Sequence, residues 1–110
     1  MFSRELQKGS AEFLVLSLLD AEPRHGYDLA KLIEARSRGV LRLNAASLYP
    51  LLYRLERRGW IRGRWVEQPG QRRRRYYRLT AAGGRALEAR RRSWADFVHA
   101  VNLVAGLDHA

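Results

Sequence analysis

A run of four arginines is the clearest chemical feature of this sequence. Arg72, Arg73, Arg74 and Arg75 follow Gln71 without interruption. The planar guanidinium group of arginine donates hydrogen bonds in a fixed fork, which fits a phosphate group or a guanine edge better than a lysine ammonium does. Adjacent cations repel one another unless an anion lies near. The run therefore favours a phosphate-rich partner, and the alternative is an exposed loop held open by its own charge.

The positive charge of the chain is concentrated in one segment. The 110 residues carry a formal net charge of +10, with 21 basic and 11 acidic residues. Residues 54–92 alone hold 14 arginines against three acids, a surplus of 11, so the rest of the chain is close to neutral. Charge that serves only solubility would be more evenly spread and richer in lysine. A local arginine field instead favours a polyanion such as double-stranded DNA.

A second polar group alternates with leucines after Asn44. The leucines follow the spacing of one helix face, and they are Leu48, Leu51, Leu52 and Leu55. The other face carries hydroxyl groups and cations that could contact base edges and phosphates in a DNA groove. We predict this set to be Ser47, Tyr49, Tyr53, Arg54 and Arg57. Two alternatives remain open: Tyr49 packs beneath a neighbouring hairpin, or Arg54 and Arg57 are only solvated charges.

The residues that enzymes need are scarce and scattered. Cysteine is absent, and the histidines are His25, His99 and His109, with no paired acids or glycine-rich phosphate loop near them. Asp96 and His99 have helical i, i+3 spacing, but two ligands make at best a weak metal site. We therefore expect neither an enzyme nor a cofactor. His25 is expected to be a helix cap or a hydrogen-bonded core histidine.

The sequence predicts a protein of the cytoplasm that does not enter a membrane. No apolar run approaches the roughly 18 residues that a membrane-spanning helix needs. The first six residues also lack the order of basic, apolar and small residues that marks a signal peptide.

Three short helices must position the polar set. The first is predicted over residues 10–20, and because Phe13 and Leu16 make its second side apolar, a second subunit is expected to cover it. The second helix follows the break at residues 22–26 and turns Leu29, Leu32 and Ile33 inward. The third begins at Asn44, a good N-cap, and ends at Gly59.

A hairpin and a last helix complete the chain. Strands are predicted over residues 60–66 and 74–79, joined by a type II turn at residues 68–71, which places the arginine run at the tip. Thr80 caps the last helix, whose apolar face is too large for one hairpin to cover, so a partner helix is implied. This face comprises Leu87, Trp94, Phe97, Val98, Val101 and Val104.

The predicted fold is mainly α with a small β-hairpin (α+β), in the element order of a winged helix-turn-helix. In that arrangement the third helix enters the major groove and the hairpin reaches the neighbouring backbone. Residues 1–80 would form the DNA-binding unit, and residues 81–110 the C-terminal dimerisation helix.

Three stretches of the sequence resemble the PadR family of transcriptional regulators, and the short last helix resembles its compact members. The stretches are residues 14–19 with His25-Gly26-Tyr27-Asp28, residues 46–56, and residues 75–83. Gly84 departs from the larger residue expected there and is expected to loosen the first turn of the last helix.

The resemblance implies a homodimer that binds a palindromic operator, represses transcription and releases DNA on binding a small ligand. Residues 47–53 look like the recognition helix and residues 71–75 like the wing tip. Tyr27 lies at the start of the second helix, whose amides could meet a phosphate. The dimer and ligand surface would comprise Trp94, Phe97, Val98, Val101, Phe13 and Leu16. Trp94 either stacks on a flat aromatic effector together with its symmetry mate, or only fills the dimer core.

Overall fold

The computed structural model describes residues 4–107, with side chains from residue 9 onward. The described residues leave out both ends of the chain, residues 1–3 and 108–110, and therefore His109. The elements, in chain order, are α1 (Arg4–Ala21), β1 (Arg24–His25), α2 (Gly26–Arg36), α3 (Ala45–Arg57), β2 (Ile61–Val66), β3 (Arg74–Leu79) and α4 (Ala81–Ala105). Four helices and a small antiparallel sheet confirm the predicted α+β fold.

Helices α1, α2 and α3 enclose one apolar core. The four leucines of α3 are all buried, as the periodicity predicted, and Leu29 and Ile33 of α2 meet them. Asn44 caps α3, because its Oδ1 accepts a hydrogen bond from the Ser47 amide over 2.9 Å. Pro50 lacks a donor, yet α3 runs through it without a break. The core therefore holds α3 by one face and leaves the other face outside.

Helix α1 differs from the prediction in length and in its second face. It begins at Arg4 and not near residue 10. Leu16 is fully buried inside the protomer, so it belongs to the core and offers no side-chain surface to a partner. Phe13 is only partly buried and remains on the outside of that core.

The hairpin follows the predicted pattern. The Gln71 amide donates to the Gln68 carbonyl over 3.0 Å and Gly70 has a φ of +74°, which is the geometry of the predicted type II turn. The first strand of the hairpin, β2, begins at Ile61, one residue later than predicted. The reason is that the Trp60 amide donates to the Leu55 carbonyl at the end of α3. We call residues 61–79, the hairpin with its connecting residues, the wing.

A third strand was not predicted. The two residues Arg24 and His25 pair antiparallel with Tyr77 and Tyr76, which gives the strand order β1-β3-β2. Two residues are too short for a period-two pattern, and only the neighbouring chain makes them a strand. β1 ties the start of α2 to the wing.

Helix α4 begins on the core and continues beyond it. Thr80 caps it as predicted, since its Oγ1 accepts from the Gly83 amide over 3.0 Å and donates to the Gly59 carbonyl over 2.6 Å. The Gly84 amide bonds the Thr80 carbonyl over 2.9 Å, so the first turn is formed and not loosened. Only Gly83 and Leu87 of α4 are buried, and its later half projects from an elongated molecule of 54 × 29 × 24 Å.

Candidate nucleic-acid interface

The outer face of α3 presents hydroxyl groups and one cation to solvent. Ser47 is exposed, and Tyr49 and Tyr53 retain 48% and 63% of their accessible surface. The guanidinium carbon of Arg57 lies 5.7 Å from the centre of the Tyr53 ring, which orients this cation along the helix. These groups follow from the leucine anchor, because a helix held by Leu48, Leu51, Leu52 and Leu55 must turn the intervening positions outward.

Arg54 occupies an intermediate position on this face. Its side chain is partly buried, and its Nε has no hydrogen-bond partner among the described residues. Because this nitrogen is itself inaccessible, Arg54 is not a freely solvated charge, and any phosphate contact would be made by the terminal nitrogens of its guanidinium.

The wing tip carries three exposed arginines with different surroundings. Arg72 is exposed and forms no ion pair with any described residue. The Arg73 guanidinium lies 4.5 Å above the Trp65 ring and 3.8 Å from the Glu67 carboxylate. Arg74 places its Nη1 3.1 Å from the Nε2 of His25. The tip is therefore an open cationic surface in which only Arg73 has an acidic neighbour.

Arg75 is the exception among the four consecutive arginines. Its Nη2 donates to the Glu56 carboxylate over 2.8 Å, and its guanidinium lies across Gly63, where a Cβ atom would collide with it. The hydrogen bond to Glu56 raises the pKa of Arg75, and burial raises the pKa of the adjacent Tyr77 phenol. Glu56 therefore already pairs with this cation and holds the wing against α3, so a phosphate that contacted Arg75 would compete with that ion pair.

Two substitutions distinguish an arginine that stabilises the fold from one that contacts DNA. Arg75→Ala should lower the free energy of unfolding by about 1–2 kcal/mol, between the values for exposed and buried ion pairs, because Glu56 loses its partner. Arg72→Ala should leave stability unchanged and weaken DNA binding. Thermal unfolding and fluorescence anisotropy with labelled duplex measure the two effects. Equal loss of stability in both variants would contradict this assignment.

A cavity of about 690 Å³ lies where α2, α3 and the wing meet. His25, Gly26 and Tyr27 form one wall, Tyr49 another, and Trp65 with Arg73, Arg74, Arg75 and Tyr77 the third. The Tyr49 ring packs close to Gly26, yet half of the side chain is exposed, so this tyrosine both packs and faces outward. Tyr27 is 60% exposed at the first turn of α2. The cavity thus joins the polar faces of three elements into one surface.

Helix α4 carries a separate apolar surface. Phe97, Val98 and Val101 are exposed, and Val104 retains 92% of its accessible area. Trp94 is partly buried, because its ring stacks on Phe13 at 5.7 Å with an interplanar angle of 7° and meets Phe97 edge-on at 6.1 Å. An exposed apolar stripe of this length on a helix is typical of a surface that another molecule covers.

Three residues of this surface were not predicted from the sequence. Glu56 is the one acid in the segment that forms α3, which marks it as a counter-charge for a nearby arginine. Trp65 stands directly opposite Arg75 in the hairpin register and stacks with the wing arginines. Asp28 pairs with His25 over 3.0 Å at the i, i+3 helical spacing. The hairpin register could have indicated Trp65, and the i, i+3 spacing from His25 could have indicated Asp28.

Among the side chains that the structure describes, no three metal-binding residues come together. None of the described helices is long and apolar enough to span a bilayer.

The architecture and sequence match known proteins. A family model described as "Transcriptional regulator PadR-like family" matches residues 15–89. A PadR-like transcription factor from Bacteroides fragilis is 35% identical, with 91% of this chain and 94% of that chain covered and a TM-score of 0.75. A PadR family transcriptional regulator from Eggerthella lenta is 34% identical, with 94% and 88% covered and a TM-score of 0.79.

A third structure, a transcriptional regulator from Clostridium thermocellum, is 26% identical with a TM-score of 0.83, and 93% of this chain and 96% of that chain are covered. All three relatives are transcription factors or transcriptional regulators. Because the family model spans more than half of the sequence, the protein belongs to the PadR-like family and is a DNA-binding transcriptional regulator.

Proposed function

We propose that this protein acts in the cytoplasm as a homodimeric repressor that reads a palindromic operator. The observation that carries the proposal is the exposed hydroxyl face of α3 beside the arginine-rich wing. In each protomer, α3 lies in the major groove and the wing contacts the flanking backbone. Ser47, Tyr49 and Tyr53 contact base edges, and Arg54 and Arg57 contact phosphates.

The remaining contacts come from the wing tip and the start of α2. Gln71, Arg72, Arg73 and Arg74 extend toward the backbone from an exposed turn. Tyr27 adds a hydroxyl at the N-terminal end of α2, where the helix dipole also favours a phosphate. Arg75 holds the wing in place through Glu56 and supports these contacts from beneath.

Selection of bound duplexes from a random DNA pool tests sequence-specific reading. A specific dimer should enrich two inverted half-sites whose centres lie about 34–36 Å apart, one helical turn, or a multiple of it. Tyr53→Phe removes one hydroxyl at an exposed ring and should relax selection at the bases that this group contacts. If wild-type protein enriches no sequence, the protein is a non-specific architectural DNA-binding protein, which is the competing function.

The apolar stripe on α4 supports the homodimer. We propose residues 81–110, which include α4, as the dimerisation segment and residues 1–80 as the DNA-binding unit. Phe13 and Trp94 form a stacked pair at the edge of this stripe. Phe97, Val98 and Val101 of two copies would bury one another, and the two-fold axis would present both α3 helices to one duplex.

Charge placed on the stripe should separate the protomers. Val101→Asp buries an unpaired carboxylate in the proposed interface, so we expect dimerisation to weaken roughly 10- to 100-fold. Leu103→Asp is the matched control, because Leu103 is also exposed but lies about 200° around α4 from Val101. Sedimentation equilibrium measures both constants. If the two variants dimerise equally well, the stripe is not the interface.

Two roles remain open for Trp94, and its fluorescence separates them. An effector site for a planar aromatic ligand requires that ligand to quench Trp94 and to release bound DNA. A dimer-core residue requires neither, because Phe13 already occupies one face of its ring. Comparison with Trp94→Phe separates the fluorescence of Trp94 from that of Trp60 and Trp65. Quenching without release of DNA would contradict the effector role.

A further inference from the structure

His25 is a buried polar residue that the proposed contacts leave without a role. It forms the last residue of β1 and the N-cap residue of α2, but its side chain makes no capping hydrogen bond. Only 6% of its surface is accessible. Its ring lies between residues of the DNA-facing surface, with Tyr27 stacked 6.2 Å away on one side and Tyr76 meeting it edge-on at 5.4 Å.

One ring nitrogen of His25 faces both a hydrogen-bond acceptor and a hydrogen-bond donor. Its Nε2 lies 3.0 Å from the Asp28 carboxylate and 3.1 Å from Nη1 of Arg74. A carboxylate only accepts hydrogen bonds, whereas a guanidinium only donates them. Nε2 either carries a proton and donates to Asp28, or presents a lone pair and accepts from Arg74. The two hydrogen bonds therefore exclude each other.

The charge around the ring is set mainly by these two partners. On β1, Arg24 pairs with Glu22 over 3.1 Å. On the wing side, Arg75 is neutralised by Glu56, and Arg73 has Glu67 at 3.8 Å. The groups that face the ring from α2 and β3 are Asp28, Tyr27, Arg74 and Tyr76.

We propose that His25 is a positioning residue whose protonation switches its Nε2 from Arg74 to Asp28 and so frees Arg74 to contact a DNA phosphate. Of the two neutral tautomers, the one protonated on Nδ1 accepts from Arg74 and holds it against the body of the protein, and a second proton on Nε2 removes that acceptor. The imidazolium donates to Asp28 and repels the Arg74 guanidinium, which turns toward solvent. This inference rests on the proposed function, because Arg74 and Tyr27 belong to the proposed contact set.

The direction of the effect follows from linkage. A phosphate that attracts Arg74 also favours the positive ring beside it, so DNA binding takes up a proton. Affinity should therefore rise as the pH falls, because a lower pH populates the imidazolium form of the ring. One added phosphate contact per protomer is two per dimer, which should steepen the dependence of log affinity on log salt by about 1.8.

Fluorescence anisotropy with a labelled 30-base-pair duplex of mixed sequence tests the switch. Affinity is measured from pH 5.5 to 8.5 at fixed ionic strength, and the salt dependence is measured at both ends of that range. We expect wild-type affinity to be about 3- to 10-fold higher at the acid end, with the steeper salt slope there. His25→Gln should bind with little pH dependence, because an amide offers a donor and an acceptor at every pH.

Two further variants complete the test. Asp28→Asn removes the anion that favours the imidazolium, so the midpoint of the pH dependence should move to lower pH. His99→Gln should retain the wild-type profile, because His99 lies on α4. Circular dichroism checks folding, and if His25→Gln does not fold, the Asp28→Asn midpoint decides. An unshifted midpoint or identical profiles in wild type and His25→Gln overturn the switch.

The failure of this inference differs from the failure of the proposed function. A protein that binds duplex equally well at every pH lacks the switch but keeps its DNA-binding role. A protein that binds no duplex at any pH contradicts both.

Discussion

Raising the monovalent salt concentration from 50 to 200 mM should weaken DNA binding about 10³- to 10⁵-fold. This range follows if the dimer neutralises roughly 6 to 10 phosphates, because each neutralised phosphate releases condensed counterions from the duplex. The structure offers enough cations for that number. In each protomer the proposed contact set holds five arginines, which makes ten in a dimer, and they are Arg54, Arg57, Arg72, Arg73 and Arg74.

Anisotropy titrations at five or more salt concentrations measure the slope of log affinity against log salt. We expect a value between about −5 and −9, and Arg72→Ala should make it less steep by about 0.9 for each phosphate that the variant no longer neutralises. Arg92→Ala is the control, because Arg92 lies on α4 beside Glu88 and outside the proposed contact set. A slope near zero would contradict the charge argument, whatever sequence the protein prefers.

The part of the surface that depends on local pattern could be predicted from the sequence. The spacing of Leu48, Leu51, Leu52 and Leu55 determines which face of α3 is buried, so it also determines that Ser47, Tyr49 and Tyr53 face outward. Residues 68–71 carry proline and glycine at the positions that a type II turn prefers, which located the wing tip. These inferences need only neighbours within a few residues.

The features that depend on distant residues could not be predicted in the same way. β1 exists because Tyr76 and Tyr77 pair with it across some fifty positions of sequence. Arg75 resembles its three neighbours in sequence, and only the fold brings Glu56 within 2.8 Å of it. Leu16 was predicted to lie on the outer side of α1. The helical pattern shows which residues of α1 share a face, but it does not show which elements cover that face. Because β3 and α4 both contact α1, the apolar face of α1 must be wider than a single stripe.

Gly83 marks the point at which α4 meets the end of the wing. A Cβ atom at this position would collide with the Trp60 carbonyl oxygen and would lie 2.8 Å from a Leu79 methyl group. The same carbonyl accepts a hydrogen bond from the Thr80 amide over 3.0 Å, so it cannot move away without breaking that bond. At the neighbouring Gly84, a Cβ atom would meet nothing within 4 Å. Two adjacent glycines of one helix turn therefore have opposite structural requirements.

Gly83→Ala should lower the free energy of unfolding by about 3 kcal/mol, at the upper end of the range for overpacked sites, because the obstacle is backbone. Gly84→Ala should raise it by about 0.5–1 kcal/mol, since alanine favours a helix where space is free. Thermal unfolding at one protomer concentration measures both, and the first variant should melt roughly 12–24 °C lower than wild type. Equal stability of the two variants would mean that α4 does not dock on Trp60. The wing and the proposed dimerisation helix would then lack the rigid connection that holds two α3 helices at a fixed distance on one duplex.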